Sequence, residues 1–198
     1  TLLAAIGTDD AAERVIHYLE RRNVDASPVL RVAGPTGRAV IVVTPDGENS
    51  IVVAPLANAL LDQTAVTAVL DRTMPAVLLL QREIPPAVLQ AAMRWAQSTP
   101  TRVVYNPSPV ENVESRELDL ADVLVVNLHE ARALTGSRDA PAGPKLAEEL
   151  VERHRCATVL TAGQHGAWVS EREKGTIHVP ALEGVRVVDT TGAGDEFA

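Results

Sequence analysis

The sequence predicts an α/β fold: a mainly parallel sheet covered by helices on both faces, with a small β-hairpin attached. Three observations carry that expectation. From residue 62 onward, helical periodicities alternate with short, almost wholly apolar runs, which is how parallel strands buried on both sides read. Before that point, two runs rich in Val and Ile flank Pro45-Asp46-Gly47-Glu48-Asn49, which is turn chemistry. The 198 residues are 46% hydrophobic and 22% charged, about one domain's worth of chain with ample apolar mass for a core.

Each element follows in order. Residues 1–7 read as the tail of a strand. Residues 9–22 place Ala12, Val15, Ile16 and Leu19 at helical spacing, with Asp9 and Asp10 at the amino end and Arg21 and Arg22 at the other, as the helix dipole prefers. Runs 29–32, 38–44 and 51–54 form a hairpin region too short to stand alone. Residues 28–54 are therefore expected to be a flap on a body made of 1–27 and 55–198. Then come helix 62–72, strand 76–80, helix 85–97 and strand 102–105, with Pro85 and Pro86 suited to a helix first turn. Strand 123–126, helix 129–135, helix 144–154 and strand 158–161 continue the alternation. Runs 167–170, 178–181 and 185–188 return to hairpin-like strands.

Composition narrows the partners. The net charge of −8 repels phosphate backbones and anionic membranes, and aromatics at 3% leave little with which to stack bases. No apolar run approaches the ~20 residues of a membrane span. Small molecules are the expected partners, with no nucleic acid and no membrane. Cys156 is the only cysteine, so no disulfide framework exists within the chain, and a buried thiol in a reducing cytoplasm is expected. The sequence contains no GxxxxGK[ST] loop, no GxSxG elbow and no second His for a zincin, and its five histidines show no metal-ligand spacing.

Ligands gather at the carboxyl ends of strands in open α/β sheets, and four segments stand there. Asp189-Thr190-Thr191-Gly192-Ala193-Gly194-Asp195 joins small residues, whose backbone N–H groups can converge on an anion, to a carboxylate suited to accept a proton from an attacking hydroxyl. A glycine-rich turn with Asp195 as a helix cap is the alternative. Thr161-Ala162-Gly163-Gln164-His165-Gly166 is a second Gly-rich turn and equally a plain hairpin turn. Asn127 and Glu130 have capping-box spacing, and the same pair could hold the waters of Mg²⁺. Gln81-Arg82-Glu83 closes a strand, with Glu83 either a polyol contact or a solvated loop acid.

The run DTTGAGD closely resembles the carboxyl-terminal signature of the ribokinase-like (PfkB) carbohydrate kinases. Gly34-Pro35-Thr36-Gly37, Asp46-Gly47-Glu48-Asn49, Gln81-Arg82-Glu83, Asn106-Pro107-Ser108-Pro109, Asn127-Leu128-His129-Glu130 and the turn at 161–166 agree with it in order and spacing, over nearly the whole chain. Within the family the pattern is most similar to the ribokinase branch. The resemblance implies a ribokinase-like α/β fold and an ATP-dependent kinase acting on the terminal hydroxymethyl of a sugar, with D-ribose giving ribose 5-phosphate. The alternatives are a fructokinase-like or nucleoside kinase of the same family, or a non-catalytic sugar- or nucleotide-binding or dimerising protein. It also implies roles: Asp195 as base and sugar contact; Gly192, Ala193 and Gly194 as anion hole; Thr161, Gly163, Gly166 and Gly194 for ATP. By the same resemblance Asn127 and Glu130 organise Mg²⁺ through water, Glu83 contacts the sugar, and Asp189 and Thr191 bind K⁺. The hairpin matches a lid that also joins a homodimer. A chain that opens within a strand and ends three residues after Asp195 reads, against that family, as cut short at both ends.

Overall fold

A computed structural model describes residues 1–43, 49–137, 143–184 and 192–197 of the chain. It divides into two compact units, Thr1–Met74 with Glu83–Ala92, and Pro75–Arg82 with Met93–Ala198.

In the first unit, strand β1 (Ala5–Ile6) leads into helix α1 (Asp10–Arg21). Asp9 caps the helix, its side chain accepting from the Ala12 N–H at 3.2 Å, and Asp10 and Glu13 lie in the first turn where the dipole favours acids. The short strand β2 (Leu30–Arg31) pairs in parallel with β1, so the run expected to belong to the hairpin lies elsewhere. The hairpin itself is β3 (Arg38–Val43) against β4 (Asn49–Ala54), antiparallel, with Val40 opposite Val52 and Ile41 opposite Ile51. The predicted turn at 44–48 lies outside the described residues. A 3₁₀ turn (Leu56–Leu60) then leads to α2 (Gln63–Thr73), capped by Asp62 and burying Val66, Val69 and Leu70.

The root of the hairpin is fastened to α1 by one carboxylate. The Thr36 hydroxyl donates to Asp9 at 2.6 Å, Arg38 donates at 2.9 Å, and the Thr36 N–H adds a third contact at 3.3 Å. The Gly7 N–H donates in turn to the Thr36 hydroxyl at 3.1 Å. Only glycine fits at position 7, because a Cβ there would stand 2.2 Å from the Gly34 carbonyl oxygen. The hydrogen bond from the Thr36 hydroxyl, followed by those from Arg38 and two backbone N–H groups, holds the Asp9 carboxyl far below the usual carboxylate range. A depressed folded-state pKa contributes stability that is complete above the unfolded value of about 3.9 and is lost as pH falls below it. Asp9→Asn is therefore expected to lower the urea midpoint at pH 7, with the gap from wild type narrowing as the pH drops below that value. A gap unchanged from neutral to strongly acidic pH would refute this account of the clasp.

The second unit is built on a six-stranded sheet in the order β10-β9-β8-β7-β6-β5. Strand β5 (Val77–Leu80) precedes α3 (Pro86–Gln97), which begins on a proline as read from the sequence. Next come β6 (Arg102–Tyr105), the four-residue α4 (Ser115–Leu118) and β7 (Val123–Asn127). Helix α5 (Leu128–Thr135) and helix α6 (Pro144–His154) follow, then β8 (Ala157–Thr161). Strands β5 to β8 are parallel; β9 (Ala167–Glu171) and β10 (Gly175–Val179) close the edge antiparallel. The strand read at 185–188 lies outside the described residues. The chain is thus a mixed α/β protein with a mostly parallel sheet flanked by helices.

Val126 and Leu160 from the sheet pack with Ala131 of α5 and Leu146, Ala147 and Leu150 of α6, all nearly or fully buried. Each buried leucine of that cluster contributes about 2 kcal/mol. Cys156 is buried as expected, and burial pushes its thiol up to about 11. His154 is largely buried, with Nδ1 2.8 Å from Asp119 Oδ1. No helix among the described residues is long and apolar enough to cross a membrane.

Candidate active site

The four parallel strands β5 to β8 direct their carboxyl ends to one edge of the sheet, where open α/β folds take ligands. Register places Leu80 beside Tyr105, and Asn127 beside Thr161. Asn127 leaves β7 and at once caps α5. Its Oδ1 accepts from the Glu130 N–H at 2.9 Å, and Glu130 Oε2 accepts from the Asn127 N–H at 2.8 Å. The capping box is complete, and it fixes a nearly buried carboxylate directly beneath the strand end.

Thr161 ends β8 and enters a 3₁₀ turn (Gly163–His165) that reverses the chain into β9. The Ala162 N–H donates to the Gly166 carbonyl at 2.8 Å. Gly166 has φ 79°, and a Cβ there would stand 2.1 Å from the Val179 carbonyl oxygen, so the turn lies against the end of β10 in a way only glycine allows. Gly163 is the opposite case, with open space beside it. His178 reinforces the turn: its Nε2 is 2.7 Å from the His165 carbonyl, and its ring stacks on Trp168 at 4.9 Å. Gln164, His165, Trp168, His178, Pro180 and Glu183 line a concave site of about 630 Å³ next to this turn.

Gly192 (φ 75°) leads into α7 (Ala193–Phe197), which carries Asp195 exposed to solvent. Cβ atoms built on Gly192 and Gly194 meet nothing within 4 Å, so their backbone is open to approach. The Gln81 side chain, at the end of β5, donates from Nε2 to Asp195 Oδ1 at 2.8 Å. The next residue, Arg82, lies over a buried acid: its Nε is 3.2 Å from Glu117 Oε2, which also accepts from the Tyr105 hydroxyl at 2.9 Å. Burial, then that hydrogen bond and the Glu117 charge, push the Tyr105 phenol above its ordinary pKa. Glu83 follows, exposed, and belongs to the first unit. Asp189 and Thr191, the expected K⁺ ligands, lie outside the described residues.

The second unit therefore brings together Asn127, Glu130 and Thr161 at adjoining strand ends, and joins Asp195 to Gln81. Sequence reasoning noticed Gln81 and Arg82 only as neighbours of Glu83. Their position at a strand end was the available signal; their partners, far along the chain, had none.

Among the described residues no group of three or more His, Cys, Asp or Glu side chains could hold a metal ion. Glu130 keeps one carboxylate oxygen beyond its capping bond, which matches Mg²⁺, an ion that retains much of its water and leans on substrate phosphates.

The whole chain, residues 1–198, matches the pfkB family carbohydrate kinases. This chain belongs to that family. Ribokinase of Mus musculus is 30% identical over 204 residues, covering 99% of this chain and 62% of its own length. The crystal structure of ribokinase from Thermotoga maritima superposes with a TM-score of 0.80 at 29% identity, covering 98% of this chain and 64% of that one. Ribokinase from Cryptococcus neoformans var. grubii serotype A, solved in complex with ADP, gives 0.81 at 30%, covering 99% and 67%. The chain thus spans just under two thirds of the mouse enzyme it matches.

Proposed function

We propose that this pfkB family member is an ATP-dependent sugar kinase that phosphorylates the terminal hydroxymethyl of D-ribose to give ribose 5-phosphate. The observation that carries the reading is Asp195, a carboxylate gripped by a strand-end amide and flanked by the open backbone of Gly192 and Gly194. A base and an anion-accepting backbone side by side are what phosphoryl transfer to an alcohol needs. Similarity to ribokinases, one of them solved with ADP, supports the choice of sugar and nucleotide.

In this reading Asp195 takes the proton of the attacking hydroxyl. The N–H groups of Gly192, Ala193 and Gly194 receive the charge that spreads over the transferring group. Thr161, Gly163 and Gly166 shape the nucleotide turn, Asn127 and Glu130 hold water around Mg²⁺, and Glu83 accepts from sugar hydroxyls. When bound, Mg·ATP supplies the phosphoryl group and neutralises its charge. Asp189 and Thr191 are the proposed K⁺ ligands. A cytoplasmic location is in keeping with the proposed acceptor and nucleotide and with the free Cys156 thiol.

Within residues 28–54, the ribbon of β3 and β4 acts as lid and dimer contact on a body of 1–27 and 55–198, and the paired strand β2 stays with β1. Support comes from the ribbon's two faces. Val40 and Val52 lie on one, Ile41, Ile51 and Val53 on the other, and all are exposed. A two-stranded ribbon with both faces apolar is marginal alone. Exposed apolar area of this kind calls for a covering partner, which the roles of lid and dimer contact supply.

The test is ADP release by the full-length protein across a panel of D-ribose, D-fructose and adenosine. D-Ribose is expected to give the highest kcat/KM. Turnover of fructose or adenosine with ribose inert would replace the substrate, and no ADP release from any of them would remove the kinase reading.

A further inference from the structure

We propose that Gln81 is a positioning residue for the phosphoryl transfer: its side-chain amide holds one oxygen of the Asp195 carboxylate and leaves the other free for the sugar hydroxyl. The inference rests on reading Asp195 as the base.

The geometry is direct. A carboxylate only accepts, so the Gln81 nitrogen faces it, and Nε2 donates to Oδ1 at 2.8 Å. The two partners differ in how firmly they are held. Asp195 is exposed on a five-residue helix. A helix so short gives its side chains little orientation, and its own backbone bonds are few.

Gln81 is anchored on both sides. Before it, β5 is locked to β6, with Leu80 beside Tyr105 and the Asn106 N–H donating to the Leu80 carbonyl at 2.9 Å. After it, the Arg82 N–H donates to the Ser108 carbonyl at 3.1 Å. The Arg82 guanidinium reaches the carbonyls of Pro109 (2.6 Å), Glu111 (2.8 Å) and Asn112 (3.3 Å), besides Glu117. A rigid strand end therefore steers a loosely held base. Orientation of this kind is worth much in catalysis, because a misplacement of about 1 Å can cost on the order of 100-fold in rate.

The experiment compares Gln81→Leu and Gln81→Glu in the full-length protein, with D-ribose and ATP. Gln81→Leu is expected to lower kcat about 10- to 100-fold, with the ribose KM held within about threefold. Gln81→Glu keeps the side chain's shape but sets a second acceptor against Asp195, and is expected to lower kcat at least as much. A side chain needed only for packing would tolerate that isosteric change. In an Asp195→Ala background, Gln81→Leu is expected to change the residual rate less than about twofold, since its effect runs through Asp195. Melting temperatures of both variants within about 2 °C of wild type confirm that the loss is not one of folding.

Wild-type kcat in Gln81→Glu overturns the inference, as does an equal further loss in the Asp195→Ala background. If Asp195→Ala itself turns over normally, the base reading has failed and the inference with it. If Asp195→Ala is inactive while Gln81→Glu is not, the inference alone has failed.

Discussion

Asp195→Asn is expected to lower kcat by about 10³-fold or more while leaving sugar and nucleotide binding within a few-fold of wild type. A positioned general base contributes roughly 10²- to 10⁴-fold, and losing it removes an interaction that matters only as the proton leaves the hydroxyl. Asparagine keeps the side chain's size and its Oδ1 acceptor, so the bond from Gln81 Nε2 survives and the local structure with it. The change therefore isolates proton acceptance from shape. Calorimetric titration with D-ribose and with a non-hydrolysable ATP analogue reads binding; ADP release under saturating substrate reads turnover. Turnover near wild type would remove Asp195 as the base and return Gly192 to Asp195 to a glycine-rich helix entry. Parallel losses of turnover and binding would assign the carboxylate to ground-state sugar recognition instead.

What could be read from the chain divides by the range of the interaction. Helix α6 and strand β6 begin and end where periodicity and apolar runs place them, because both signals are local. The Asn127–Glu130 box was legible for the same reason: cap and partner are three residues apart. Strand β2 was not. Its two residues pair with β1 through a non-local parallel contact, and apolar texture alone grouped them with the nearby hairpin. Helix α4 has four residues and one turn, too few for any period to register. The Gln81–Asp195 bond spans 114 positions, and no composition or spacing announces it.

The same logic explains why the candidate base could be read from the sequence and its support could not. A glycine-rich run ending in a carboxylate is visible in seven consecutive letters. A supporting amide is visible only once the sheet has brought a strand end and a later helix together. The site's chemistry was written locally and its orientation globally.

The second large effect is expected at Glu117. Its carboxylate is 7% exposed and Arg82's side chain 14%, so the pair is largely out of water. Glu117→Ala would leave the Arg82 guanidinium facing only the carbonyl oxygens of Pro109, Glu111 and Asn112, and would strip the Tyr105 hydroxyl of its acceptor. Removing one partner of a buried pair costs about 3–5 kcal/mol, and the loss is expected as a lowered urea midpoint with an unchanged slope. Replacing the whole cluster, as Arg82→Met, Glu117→Leu and Tyr105→Phe together, should recover part of that loss, since no buried charge then remains unpaired. The triple variant separates two jobs. If the cluster served stability alone, recovered stability would bring recovered activity. Because Arg82 also ties the chain after Gln81 to the 109–112 segment, the triple variant is expected to melt closer to wild type than Glu117→Ala yet keep a kcat about tenfold or more below it. Full recovery of kcat in the triple variant would show that the strand end needs no such anchor.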